Sequence, residues 1–155
     1  MKEEIKIGDI APNFELLNAD NQLTRLSEYK GKKLVLYFYP KDDTPGCTTE
    51  AIEFTSLYSE FQKLGVEIYG ISQDDTSSHK KFQSKYNVGF NLGADSTGSV
   101  CAAYNTVKDS LIPGLKKGTK RMTYLINEQG IISYIWKDVQ SKGHAQKVLD
   151  FIKDN

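Results

Sequence analysis

Cysteine is scarce in this chain, with 2 among 155 residues, at positions 47 and 101. Two cysteines so far apart make no disulfide framework, and no Cys-x-x-Cys pair or His/Cys cluster suggests zinc. Apolar runs are short. None approaches the ~20 residues needed to cross a bilayer, and the N-terminal "MKEEIKIGDIAPNF" is too polar for a signal peptide. Neither charge is in surplus, because 20 Lys and Arg balance 20 Asp and Glu. A neutral sum gives no overall field to draw the chain to nucleic acid or to a membrane surface. The local basic clusters, Lys30, Lys32 and Lys33 and then Lys116, Lys117 and Lys120, read as solvated loop charges. Internal repeats, linkers and low-complexity tracts are missing too. What these absences leave is one domain over residues 1–155, expected in a reducing compartment, the cytoplasm.

The patterns that are present alternate between strand and helix. "NFELLNADNQLTRLSEY" has apolar residues on either side of Asn18-Ala19-Asp20-Asn21 and predicts a small N-terminal hairpin. "KKLVLYFYP", Lys32 to Pro40, is a continuous apolar and aromatic run, the mark of a strand covered on both faces. From Pro45 the spacing turns helical, with Phe54, Leu57, Tyr58, Phe61 and Leu64 inward and Gly65 as the stop. "VEIYGIS" follows as a second core strand. The next helix, "TSSHKKFQSKYNV", should be capped by Thr76 or Ser77 and pack through Phe82 and Tyr86. "FNLGAD" predicts a short strand and "STGSVCAAY" a short helix. After the loop "KDSLIPGLKKGTKR", "MTYLIN" and "GIISYIW" flank Glu128-Gln129-Gly130 as an antiparallel hairpin, and Lys142 to Lys153 forms a last amphipathic helix. This order predicts an α/β fold of the thioredoxin-like type: a mixed central β-sheet, helices on both faces and an N-terminal hairpin.

The turn after the central strand, "YFYPKDDTPGCTTEA", raises the question of function. Thr44 can cap the following helix, Pro45 suits its first position, and Gly46 allows close approach to the backbone. Cys47 then falls in the first turn, among unpaired N–H donors at the positive end of the helix dipole. That setting favours thiolate and lowers the thiol pKa from its reference of ~8.5. Glu50, Ala51 and Phe54 share the inward face, so the sulfur is expected at the rim of the core.

Pro40, Thr44 and Cys47 match the Pro-x-x-x-Thr-x-x-Cys motif of the peroxiredoxins, and "FYPKDDTPGCTTEA" resembles the subgroup called Q-type, or bacterioferritin comigratory protein. "GDIAPNFEL", "GISQDDTSSHKKF" and "KRMTYLIN" resemble further signatures of that subgroup, so the likeness covers nearly the whole chain. The resemblance implies a thiol peroxidase that reduces hydrogen peroxide and small alkyl hydroperoxides through a sulfenic acid on Cys47, with no metal or organic cofactor expected. It also implies roles for individual residues. Thr44 would orient the peroxide, Arg121 would hold the thiolate and the transition state, and Pro40 would shield the sulfenic acid. The Gly46 and Cys47 N–H groups would complete the cradle. Glu50 matches a subgroup acid and reads equally as an orienter of Arg121 or as ordinary dipole complementation.

The sequence departs from the subgroup in its second cysteine. The two customary positions for a resolving cysteine hold Ile52 and the pair Phe82-Gln83. Cys101 remains, and three routes stay open: reduction by an external thiol such as thioredoxin, attack by Cys101 after local unfolding, or attack by Cys101 of a second chain. Bridged cysteines need α-carbons within ~7 Å. Val100, Cys101 and Tyr104 look like a core stripe, and the one-cysteine route is the expected one. A monomer is expected, with a dimer open. His79 and His144 read as exposed, Trp136 as packing, and one ring of Tyr37, Phe38 and Tyr39 as a candidate for the pocket wall. A redox-sensing module that uses the same thiolate only as a switch is the competing function. A disulfide oxidoreductase or copper chaperone would need a second cysteine within a turn of Cys47, which the sequence lacks.

Overall fold

Every hydrogen-bonding group of a strand buried on both faces must be met by neighbours on both sides, and the Lys32–Pro40 run meets that demand at the centre of a sheet. The computed structural model describes residues 4–108 and 117–155. β1 (Glu15–Leu17) and β2 (Leu23–Arg25) form the N-terminal hairpin, followed by a 3₁₀ turn over Leu26–Tyr29. The main elements then run β3 (Lys33–Phe38), α1 (Pro45–Lys63), β4 (Val66–Ser72), α2 (Thr76–Tyr86) and β5 (Asn91–Ala94). α3 (Ser99–Ala103), β6 (Met122–Ile126), β7 (Ile132–Trp136) and α4 (His144–Lys153) complete the chain. The sheet order is β5-β4-β3-β6-β7; β3, β4 and β5 are parallel, and β6 and β7 are antiparallel to their neighbours.

Side chains alternate across β3 and so divide the apolar interior in two. Val35, Tyr37 and Tyr39 enter a core with Phe54 and Phe61 of α1, Phe82 of α2 and Val148, Leu149 and Ile152 of α4. Leu34, Leu36 and Phe38 face the other way, onto Phe14 and Leu16 of the N-terminal segment and Val100 and Cys101 of α3. The predicted mixed sheet with both faces covered is the observed one. Asn18 organises the first turn, its Oδ1 accepting from the N–H groups of Asp20 (2.9 Å) and Gln22 (3.0 Å).

Several local expectations are corrected. The cap of α2 is Asp75, whose carboxylate accepts from Ser78 N–H at 2.8 Å, ahead of both Thr76 and Ser77. Leu64 ends α1 and is exposed, because the chain turns out at Gly65 (φ +75°) before that side chain reaches the core. α4 begins at His144, since Gly143 at φ +82° breaks the helical path. Lys30, Lys32, Lys117 and Lys120 are exposed as expected, while Lys116 lies outside the described residues.

Both histidines are buried, against expectation, at 0% exposure for His79 and 3% for His144. Each has found polar partners far away in sequence. His144 Nε2 lies 2.8 Å from Thr123 Oγ1, and the ring meets the edges of Phe54 and Trp136. Burial, with lesser contributions from Lys147 and Arg121, pushes the His144 pKa down to about 4. The unfolded chain, near 6.5, therefore binds the proton more readily than the folded one. Stability from this group is fully present above about pH 6.5 and is lost as pH falls toward 4, by up to about 3 kcal/mol. Urea unfolding of wild type and His144→Gln across that range checks this, and the variant is expected to lack this part of the acid sensitivity.

Candidate active site

The register between β3 and β6 builds the site. Phe38, the last residue of β3, pairs with Met122, the first of β6, so Arg121 emerges beside the point where the chain leaves the sheet for α1. The connecting loop runs through the half-buried Pro40 and turns at Asp43, whose φ is +57°. Thr44 is the extended residue before α1 (φ −93°, ψ 155°), and Pro45 occupies the first helical position as predicted. The Thr44 hydroxyl does not cap the helix. It turns back and donates to the carbonyl of Lys41 at 2.8 Å, so the first-turn N–H groups receive no bond from it. A hydroxyl committed as donor keeps its lone pairs for an incoming O–H.

Cys47 is the third residue of α1 and 1% exposed, with its sulfur at the helix start. Arg121 Nη2 donates to Cys47 Sγ at 3.3 Å and Nη1 to Glu50 Oε1 at 2.7 Å. One guanidinium thus bridges two groups a turn apart on α1, and Glu50 is in direct contact with Arg121. The close approach that Gly46 permits is that of the same arginine. A methyl group at Gly46 would lie 3.0 Å from Arg121 Nη2 and 3.2 Å from Ser141 Oγ.

Glu50 is fully buried, and among the described residues its Oε2 has no hydrogen-bond partner. Burial raises its carboxyl to about 7 although the Arg121 charge pulls the other way. Tyr37, Phe38 and Tyr39 are all 1% exposed or less, so none of the three rings forms an open wall. The Tyr37 phenol is also without a partner among the described residues. Burial holds its pKa well above the usual value, and Glu50 and Cys47 add to the effect. The orphaned Glu50 and Tyr37 oxygens were not legible in the sequence, since both residue types occur widely on helices and strands.

Cys101 belongs to the opposite core. It is fully buried on α3, its sulfur is 3.7 Å from Thr119 Oγ1, and its N–H donates to Asp95 Oδ2 at 2.7 Å. Burial, reinforced by Asp95, pushes its thiol up to about 12. Ile52 and Gln83 occupy the two positions singled out above; Ile52 is 45% exposed, and Gln83 donates to the Phe90 carbonyl at 3.0 Å.

The model of the AhpC/TSA family matches residues 7–135. The Bcp peroxiredoxin of Coxiella burnetii is 44% identical over 146 residues, covering 94% of this chain and 97% of the relative. The chain is a peroxiredoxin. The Bcp peroxiredoxin of Bacillus subtilis is 40% identical over 97% of the chain and 96% of its own length. Among solved structures, the PrxQ of Xylella fastidiosa superposes with a TM-score of 0.92 at 34% identity, covering 99% of this chain and 98% of that one. The Xanthomonas campestris bacterioferritin comigratory protein, studied as a trapped intermediate/ligand complex for its alkyl peroxide reduction activity, gives 0.86 at 37% identity over 91% and 90% of the two chains. Family membership makes this peroxiredoxin a thiol peroxidase, with the thioredoxin-like fold read from its elements.

Glu50 supplies a pH test of the site. Its folded pKa, about 7, lies above the unfolded 4.5, so the stability linked to its proton is complete below 4.5 and is lost as pH rises through 7. Difference infrared spectra of the reduced protein should show a protonated-carboxyl band that disappears with a midpoint near pH 7. Glu50→Gln should lack that band. A midpoint at 4.5 would show that Arg121 fully offsets burial, and one below it that Arg121 outweighs burial.

Proposed function

We propose that Cys47 is the peroxidatic nucleophile and that the bridge from Arg121 to Cys47 and Glu50 carries its reactivity. The Cys47 thiolate attacks one peroxide oxygen, the S–O bond forms as the O–O bond breaks, and the departing oxygen takes a proton to leave as water or an alcohol. The product on the protein is a sulfenic acid. Arg121 Nη2 already points at the sulfur, and the Gly46 and Cys47 N–H groups lie at the helix start where charge on oxygen is accommodated. The Thr44 lone pairs accept the peroxide O–H, and Pro40 covers the product against further oxidation. Substrates of this reading are hydrogen peroxide and small alkyl hydroperoxides, in keeping with the activity studied in the Xanthomonas protein.

The reductant in this proposal is an external thiol such as thioredoxin. Two observations support it. Cys101 lies in the core on the far side of the sheet, and its raised pKa disfavours the thiolate that disulfide exchange requires. We place the protein in the cytoplasm, as a monomer. Among the described residues no helix is long and apolar enough to cross a membrane. The switch reading rests on the same separation of thiols, since a sulfenic acid without a partner can persist; it requires that no thiol recycle the enzyme.

Intact mass after one equivalent of peroxide tests this reading. The chain is expected to gain one oxygen, equally in wild type and in Cys101→Ala, and Cys47→Ser to gain none. Loss of two hydrogens without a change in chain number would instead show an internal disulfide. Steady turnover with thioredoxin and its reductase is expected for the enzyme, and its absence with every thiol tried would leave the switch.

A further inference from the structure

His79 is a buried titratable group that the chemistry above leaves unused, and its contacts lead to the active-site loop. Its Nε2 lies 2.9 Å from the Gly93 carbonyl oxygen and its Nδ1 lies 2.6 Å from Asp42 Oδ2. A carbonyl only accepts, so Nε2 turns its hydrogen toward Gly93, and Nδ1 faces the Asp42 carboxylate. Asp42 also receives the Tyr39 hydroxyl at Oδ1 (2.6 Å) and the Ser78 hydroxyl at Oδ2 (2.8 Å). Its own N–H donates to Asp74 Oδ2 at 2.8 Å, which the Ser72 hydroxyl meets at 2.6 Å. Ligand-type atoms of Asp42, Asp74 and His79 lie within 4.8 Å of one another. Both Asp42 oxygens, Asp74 Oδ2 and both ring nitrogens are already paired, which makes the cluster a hydrogen-bond network and not a cage for a cation.

The network grips the loop at one end of α2, and a second contact grips it at the other. Asp43 accepts from Lys85 Nζ at 2.9 Å and from the Tyr86 hydroxyl at 2.8 Å. Two successive loop residues are thus tied to the first and last turns of one helix. Between them and the strand sit Pro40 and Lys41, and the Lys41 carbonyl is what orients the Thr44 hydroxyl. Cys47 and Glu50 have polar contacts outside this network, since α1 carries them and Arg121 reaches them from the start of β6.

We propose that His79 is a positioning residue for peroxide attack, holding Asp42 and through it the Pro40–Thr44 loop so that Thr44 presents its hydroxyl to the substrate. The proposal rests on the reading that Cys47 attacks peroxide beside Thr44. It separates two reactivities of the same sulfur. Peroxide needs an oriented O–O bond, whereas iodoacetamide needs only the sulfur.

Stopped-flow peroxide consumption and iodoacetamide alkylation of reduced protein therefore test it together. His79→Leu is expected to lose about tenfold or more in the peroxide rate, as small misplacements near a reacting bond do, with alkylation close to wild type. His79→Asn, whose amide can donate to Asp42 from near the Nδ1 position, should recover most of the loss. A wild-type peroxide rate in His79→Leu, or a parallel change in both rates, overturns the proposal. If His79→Leu fails to fold, Ser78→Ala, which removes one donor from the same carboxylate, carries the test. It is expected to lose about threefold in peroxide rate alone, and an unchanged rate overturns the proposal. Failure of the underlying reading is distinct: wild type itself would then gain no oxygen at Cys47.

Discussion

A single half-buried guanidinium ties together the end of the molecule where β3, β6 and α1 meet. Arg121 has two arms of its fork committed, one to a carboxylate and one to a sulfur, on side chains that follow each other by a turn on α1. A planar fork makes such a double contact with little loss of side-chain freedom, whereas a lysine would supply one point of charge. Much of the local sequence follows from this need. The β6 neighbour of β3 must be antiparallel and in register so that Arg121 arrives at the right end of the sheet. Position 46 must lack a side chain where the guanidinium passes. Glu50 must be buried, and its raised pKa is the electrostatic consequence of satisfying the arginine from below while being cut off from water.

The sheet acts as a partition. Alternation along β3 sends Tyr37 to the face that holds Cys47 and Phe38 to the face that holds Cys101, so the two thiols sit in separate interiors with a layer of strand between them. The aromatic packing on the Cys47 side, with Tyr37 stacked on Phe54 at 4.8 Å between ring centroids, is close and leaves the Tyr37 hydroxyl near the charges above it. A phenol so placed remains neutral, so the field at the sulfur is set by Arg121, Glu50 and the helix start.

Much of this architecture was legible in the chain because it is written in short-range patterns. The uninterrupted apolar run of β3, the Pro45 start of α1 and the Gly130 turn of the final hairpin each depend on neighbours a few residues away. The position of Cys47 followed for the same reason. What escaped were polar residues whose partners are distant in sequence. His79 reads as an exposed helix residue beside two lysines until Asp42, in a loop that ends another strand, is brought against it. His144 reads the same way until Thr123 of β6 meets it. The Thr44 hydroxyl was assigned to the helix below, and it serves the carbonyl above. In each instance the side chain chose between local and remote partners, and local propensity has no term for the remote one.

The pairing that delivers Arg121 spans 74 residues of sequence from Cys47. Contacts so far apart close late against chain entropy and set the pace at which a fold assembles. A nascent chain, or one unravelled by heat, therefore presents position 47 as an ordinary thiol with no cation beside it. The contact between Arg121 and Cys47 is a property of the finished tertiary structure, formed only when β6 pairs with β3.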